Sequence, residues 1–251
     1  MESYAVFLDI DNTLYCDGAV PAANVRALRE ARSRGHYIFL NTARSFGMIP
    51  NGLMENLPLD GAVAGIGTDL RLRGEQIFHH VMPVDELKAI ARHFEGQGRE
   101  VGFEGETTTL WMYPKDHRGP DRLTRADEFD TVWRGVKISK LYIRGQLTPQ
   151  EHALFSEKYT VFQHARYAEF VTKGFDKATG MRRMAEHLHI PVERCIAMGD
   201  SANDADMLRA AGISVAMGDA IDEIKQMCDY VSCDARDGGV AQAIEKFLLT
   251  Q

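Results

Sequence analysis

At 251 residues, with 45% hydrophobic and 26% charged side chains, the chain is long enough for a sizeable core and one or two domains. Its net charge of −7 argues against a broad nucleic-acid or anionic-membrane surface, which needs an extended basic face, but leaves room for a local cationic pocket. Four scattered cysteines with no CxxC pair argue against a disulfide framework or a zinc site.

The N-terminal MESYAVFLDIDNT has neither the basic start nor the long apolar middle of a signal peptide. No apolar run is long enough to span a bilayer. A cytoplasmic protein with no membrane or nucleic-acid partner is the expectation; oligomeric state is left open.

Residues 4–10, YAVFLDI, form a short apolar run rich in β-formers and predict a buried strand. A helix follows over residues 20–35, with Pro21 near its start, Val25, Leu28 and Ala31 as its apolar positions and Gly35 as its stop. Residues 36–42, HYIFLNT, predict a second strand, and a second helix is expected between Ala43 and Pro58. The GxG within GAVAGIGTDL does not make a dinucleotide fingerprint, because Leu70 stands where the third glycine belongs.

From residue 83 to 171 the pattern changes. Helices are expected over residues 84–94 and 149–157, between strand-like pieces such as TTTLWMY, VKISKLYIRG and YTVFQHA. These strands mix polar and apolar residues, as an antiparallel sheet with one wet face requires. Trp111 and Met112 are expected in the core of this segment. The locally basic YPKDHRGPDRLTR reads as a solvated loop, with a loop that meets an anionic substrate as the sharper alternative.

Alternation returns in the last third. DKATGMRRMAEHLHI reads as a helix closed by Pro191, and RCIAMGD as a strand ending at Gly199 and Asp200. NDADMLRAAG is helical, ISVAMG a strand, residues 220–226 a short helix, DYVS a short strand and GVAQAIEKFLL the last helix. Strand–helix alternation at both ends predicts an α/β fold: a doubly wound parallel sheet with helices on both faces. The irregular middle predicts an inserted α/β domain. The expected limits are 1–82 and 172–251 for the core and 83–171 for the insertion.

In an open α/β sheet, ligands sit beyond the carboxyl ends of the strands. Asp9 and Asp11 follow the first strand, Thr42 the second, and Asp200, Asn203 and Asp204 a late one. Lys177 opens the helix before that late strand. Four acidic residues converging there would be unstable alone. A Mg²⁺ ion resolves this, since it favours carboxylate and carbonyl oxygens. Asp9 and Asp200 are the expected direct ligands with the Asp11 carbonyl as a third, and Asp204 suits the shell behind them.

Four motifs now stand in order. DIDNT resembles the DxDxT motif of the haloacid dehalogenase superfamily. Thr42 in LNTAR resembles its second motif, Lys177 its third, and GDSANDADML the GDxxND fourth motif of Cof-type phosphatases, subclass IIB. The inserted segment lies where that subclass carries its cap. The resemblance implies a Mg²⁺-dependent phosphatase acting on small phosphorylated metabolites, sugar phosphates foremost. By the same resemblance Asp9 attacks phosphorus to form an aspartyl-phosphate, and Asp11 serves as general acid and then base. Thr42, Ala43 and Asn203 hold phosphate, Arg44 meets substrate, and Lys177 balances charge on nucleophile and phosphoryl group. The cap would close over the substrate and supply specificity.

Three positions depart from the usual pattern. Asn12 stands where glycine is commonest, and asparagine tolerates a left-handed backbone. NTAR replaces TGR, and DKATG replaces SKG. Asp9 and Asp11 are expected to project differently, which requires the chain to bend between them. A phosphotransferase or phosphomutase of the same superfamily is the alternative within catalysis, and a phosphometabolite-binding module without catalysis the alternative outside it.

Overall fold

The computed structural model describes residues 2–113 and 119–250. Residues 114–118 of the basic YPKDHRGPDRLTR stretch lie outside the described residues, and so does the reading of that stretch as a substrate loop. In chain order, β1 (Ala5–Leu8) leads to α1 (Ala22–Ser33) and β2 (Tyr37–Asn41). After the short α2 (Leu53–Asn56) come β3 (Gly61–Ala64), β4 (Asp69–Leu72) and β5 (Glu75–His79). The middle contains α3 (Val84–Phe94), β6 (Val101–Gly105), β7 (Thr109–Met112) and β8 (Ile138–Arg144). It continues with α4 (Pro149–Ser156), β9 (Tyr159–Gln163) and β10 (Tyr167–Thr172). Then follow α5 (Lys177–His187), β11 (Cys195–Gly199), α6 (Ala205–Ala210) and β12 (Ile213–Ala216). The chain ends through α7 (Asp222–Met227), β13 (Tyr230–Val231) and α8 (Gly239–Ile244).

These elements form two compact units. Residues 1–43, 50–77 and 176–251 make the first; residues 44–49 and 78–175 make the second.

The first unit is built on an eight-stranded sheet of order β13-β12-β11-β1-β2-β3-β4-β5. β13, β12, β11, β1, β2 and β3 pair in parallel, and β4 returns antiparallel to β3. The four residues of β1 are fully buried, as a parallel strand covered on both faces must be. From β1 the chain steps one way to β2; from β11 it steps the other way to β12. Right-handed crossovers then put the connecting helices on opposite faces. α1 accordingly lies against α8, and α5 against α6. The reversal makes the β1/β11 boundary a topological switch point, with a crevice at the carboxyl ends of those two strands.

The second unit is an antiparallel sheet of order β7-β6-β8-β10-β9 with α3 and α4 on one face. Leu87, Ile90 and Phe94 of α3 and Phe155 of α4 pack with Val101, Phe103, Leu141, Ile143 and Phe170 of the sheet. The period-2 alternation sends the neighbours of those residues to the other face. Met112 joins this core, whereas Trp111 does not; one step along a strand reverses the face, and Trp111 falls on the side away from the helices.

The helix expected between Ala43 and Pro58 is instead a three-residue turn, Phe46–Met48, followed by α2. Pro50 forces Ile49 into an extended backbone (ψ 133°), and Gly52 takes φ +78° just ahead of α2. The four cysteines are unpaired thiols. No helix among the described residues is long and apolar enough to cross a membrane.

Candidate active site

The first side chain of the site is set by the end of β1. The Asp9 amide donates to the Met198 carbonyl at 3.0 Å, extending the β1–β11 ladder by one residue. The chain then winds tightly: the Ile10 carbonyl accepts from the amides of Thr13, Leu14 and Tyr15 at 3.4, 3.1 and 2.8 Å. Asn12 sits in this turn with φ +55°, a conformation that asparagine adopts at lower cost than most side chains. The Asp9 carboxylate is buried while Asp11 is exposed, so the two aspartates meet different surroundings.

Lys177 is the first residue of α5. The Asp176 side chain accepts from the Thr179 amide at 2.6 Å, and the Thr179 hydroxyl accepts from the Asp176 amide and donates to the Asp176 carbonyl, both at 2.9 Å. This reciprocal cap fixes where the helix begins. The Asn41 amide group donates to the Lys177 carbonyl at 2.9 Å, tying α5 to the end of β2. Two glycines let the helix approach closely. A Cβ on Gly67 would lie 2.3 Å from the Asp176 carbonyl oxygen, and one on Gly180 would lie 2.8 Å from Gly67 Cα. Lys177 is thereby directed inward with only 1% of its side chain exposed.

Its ammonium group bridges two carboxylates, Asp9 Oδ1 at 2.7 Å and Asp204 Oδ1 at 2.6 Å. The other Asp204 oxygen accepts from the amides of Asp200 and Ser201, both at 3.1 Å. Asp204 therefore ties the turn after β11 together and carries negative charge into the site. Gly199 is required beside it, since a Cβ there would lie 2.5 Å from Asp204 Cγ. Asp200 Oδ1 accepts from the Thr13 hydroxyl at 3.4 Å.

One carboxylate oxygen each from Asp9, Asp200 and Asp204 lies within 4.8 Å of the others. Three acidic groups face one ammonium. Burial raises the Asp9 pKa to about 7; Lys177 opposes the rise, and Asp204 and Asp200 add to it. Asp200 is likewise raised to about 7, by burial and then by Asp204. Burial works against the Lys177 charge, but Asp204 and Asp9 outweigh it and raise its pKa above the ordinary lysine range. The site is thus short of positive charge and offers only hard oxygen donors, the donor set that suits Mg²⁺.

The remaining sequence-predicted residues are placed as follows. Leu8 pairs with Leu40, which puts Thr42 at the same sheet edge as Asp9. Thr42 is buried; its amide donates to the Val63 carbonyl at 2.9 Å and its carbonyl accepts from Ile66 at 3.2 Å. Ala43 follows it, half-buried, at the limit of the first unit. Asn203 lies on the turn after β11, its Oδ1 accepting from the Ser201 hydroxyl at 2.8 Å. Arg44 belongs to the second unit and donates to the Met48 carbonyl at 3.1 Å. The structure thus brings the buried Asp9, Lys177 and Asp204 together with the half-buried Asp200, with Asp11 in the exposed turn beside them. Thr13, Asn41 and Asp176 hold this group in place; Thr13 was expected to position Asp11 and its hydroxyl instead donates to Asp200, and Asn41 and Asp176 were not singled out. A polar residue closing an apolar strand, as in FLN, and a D-x-x-T at a helix start were the available signals.

A family model described as haloacid dehalogenase-like hydrolase matches residues 6–244. A putative phosphatase of Bacillus subtilis, YkrA, is 25% identical, with 98% of each chain covered. The 5-amino-6-(5-phospho-D-ribitylamino)uracil phosphatase YcsE of the same organism is 28% identical over 97% of this chain and 95% of its own. Among solved structures, the subclass IIB sugar phosphatase BT4131 superimposes with a TM-score of 0.78 at 26% identity, covering 97% of this chain and 98% of that one. A hypothetical protein from Geobacillus kaustophilus shares the fold with a TM-score of 0.84 at 21% identity, over 99% and 100% of the two chains. The chain belongs to the haloacid dehalogenase superfamily, as a Cof-type phosphatase of subclass IIB.

Proposed function

We propose that the chain is a Mg²⁺-dependent hydrolase of small-metabolite phosphomonoesters that works through an aspartyl-phosphate on Asp9. The observation that carries this reading is the buried Lys177 ammonium between Asp9 and Asp204, next to Asp200, at the switch point of the sheet. Asp9 and Asp200 would hold the ion together with the Asp11 carbonyl, and Asp204 would act through its charge, since both its oxygens are already engaged. The bound ion would neutralise charge on the phosphate and the nucleophile.

In the first step the Asp9 carboxylate attacks phosphorus, an O–P bond forms, and the bond to the leaving oxygen breaks as Asp11 donates its proton there. In the second step water attacks phosphorus, Asp11 takes the water's proton, and the Asp9–phosphorus bond breaks. Thr42 and its neighbouring amides, including that of Ala43, bind phosphate oxygens along with Asn203. Lys177 favours the ionised form of Asp9 against its burial and faces the charge that develops on the phosphoryl group. The second unit serves as the cap that selects the organic part of the substrate, with Arg44 as one contact. The names of the relatives support a phosphorylated polyol or sugar derivative as the substrate class.

Replacing Asp9 with Asn should lower Mg²⁺-dependent hydrolysis of p-nitrophenyl phosphate by about 10⁴-fold or more while leaving the thermal transition in place. Turnover near the parent rate would remove Asp9 as nucleophile.

A further inference from the structure

The link between β2 and β3 contains a pair of residues with chemistry of its own, Asn51–Gly52. Pro50 to Leu53 form a β-turn, closed by the Leu53 amide donating to the Pro50 carbonyl at 3.1 Å. Gly52 takes the third place of this turn, with φ +78° and ψ −7°. Asn51 ahead of it has a negative φ, which makes the turn type II, the kind that needs a left-handed residue at its third place. Asn51 is exposed. Among the described residues, neither its side-chain amide nor the Gly52 backbone N–H has a hydrogen-bond partner.

The chain has six asparagines, and Asn51 is the one followed by glycine. Elsewhere the next residue is Thr13, Val25, Thr42, Leu57 or Asp204, whose side chains crowd their own backbone nitrogen. Glycine leaves that nitrogen open and lets the backbone around it rotate. The buried asparagines are also held in place. Asn24 Oδ1 accepts from the Ala241 amide at 2.9 Å, and the Asn41 amide group donates to the Lys177 carbonyl. Asn51 thus sets an unengaged side-chain amide beside an unengaged and unhindered backbone nitrogen.

We propose that Asn51 is a site of spontaneous deamidation, where the folded protein gains a negative charge and, in part of the molecules, one extra backbone atom. The site is independent of the phosphatase reading. The Gly52 nitrogen attacks Asn51 Cγ and gives up its proton as the new N–Cγ bond forms. The Cγ–Nδ2 bond breaks, and Nδ2 leaves as ammonia. Solvent water then opens the cyclic imide. Addition at Cγ restores the original chain with an aspartate side chain. Addition at the main-chain carbonyl carbon leaves the chain running through Cγ, as isoaspartate. The sum is one water consumed and one ammonia released. In a type II turn the extended backbone of the second residue holds the reacting atoms apart, so the reaction starts from an opened turn. Opening breaks one backbone hydrogen bond, from Leu53 to Pro50, and slows the reaction by about fivefold (about 1 kcal/mol).

The test is incubation of the full-length protein in warm, mildly alkaline buffer, beside a second sample unfolded in guanidinium chloride. Peptide mass spectrometry follows the mass gained when an amide becomes a carboxyl and places it on one asparagine. Enzymatic methyl esterification of isoaspartyl carboxyls reads the isoaspartate share. Asn51 is expected to convert in the folded protein at about a fifth of its rate in the unfolded one, while the other five asparagines of the folded protein stay intact. The whole chain should move on anion exchange as its net charge of −7 becomes one unit more negative. Asn51→Gln, at an exposed position without partners, should abolish that shift. Three results overturn the proposal: a folded rate more than about tenfold below the unfolded one, earlier conversion at any other asparagine of the folded protein, or an acidic species that persists in Asn51→Gln.

Discussion

Lys177 is the residue on which the site turns. A lysine at a helix start is ordinarily solvated; here it is buried between Asp9 and Asp204 because the end of β2 and two glycines seat its helix against the sheet. Removing one member of a buried ionic group leaves the others uncompensated, at a cost of about 3–5 kcal/mol. Lys177→Met should therefore lower stability by that order in urea unfolding and also abolish measurable turnover. A variant with parent stability would show that the ammonium does not offset the two carboxylates. Asn12 was legible in advance, because its chemistry is local: the turn needs a left-handed residue, and the observed φ is +55°. The partnership of Thr13 with Asp200 was not, because 187 positions separate the two in the chain.

At the scale of elements, α5 depends on a backbone-to-backbone seat. Gly180 lies in a helix interior, where alanine is ordinarily better by about 1 kcal/mol. Here the added methyl would meet Val63 Cγ1 at 2.4 Å and Gly67 Cα at 2.8 Å. Gly180→Ala should accordingly destabilise by about 1–3 kcal/mol and reduce kcat, as the start of α5 shifts and carries Lys177 with it. A raised melting temperature would refute this seat. The GxG at residues 65–67 was tested in the sequence only as a cofactor motif; its role is this close approach.

The antiparallel sheet gives a second prediction at the element scale. Burial favours the neutral form of Glu169, but Lys140 and the His164 contact prevail and depress its folded pKa to about 2 from an ordinary 4.5. Its contribution is present above about pH 4.5 and is lost as the pH falls from there towards 2. The difference is on the order of 3 kcal/mol. Glu169→Gln should destabilise the protein at pH 7 and flatten that acid limb, as followed by urea midpoints between pH 3 and pH 7. An unchanged acid limb would place the acid-sensitive group elsewhere.

For the molecule as a whole, a cation held by the acidic group at the switch point would tie folding to that ion. An ion that binds only the folded chain stabilises it by about 2.7 kcal/mol at a hundred times its Kd, which raises the melting temperature by about 5–11 °C in a protein of this size. Mg²⁺ should therefore raise the Tm of the parent, and Asp200→Asn should remove most of the increase. An equal increase in both would locate the ion away from Asp200.

The sequence by itself determined the α/β class and the strand–helix order at both ends. It also determined which residues stand at strand ends, since apolar periodicity, caps and motif order are local properties. The helix over residues 84–94 was legible to the residue, because its apolar stripe and flanking proline agree. The strands over residues 61–64, 69–72, 75–79 and 101–105 were not singled out; they are short, rich in glycine and polar residues, and become strands only by pairing. Only the tertiary structure decided the burial of Lys177 and the engagement of both Asp204 oxygens. Each of these is set by residues that are distant in the chain, brought together by sheet order and register, and no local pattern encodes that pairing.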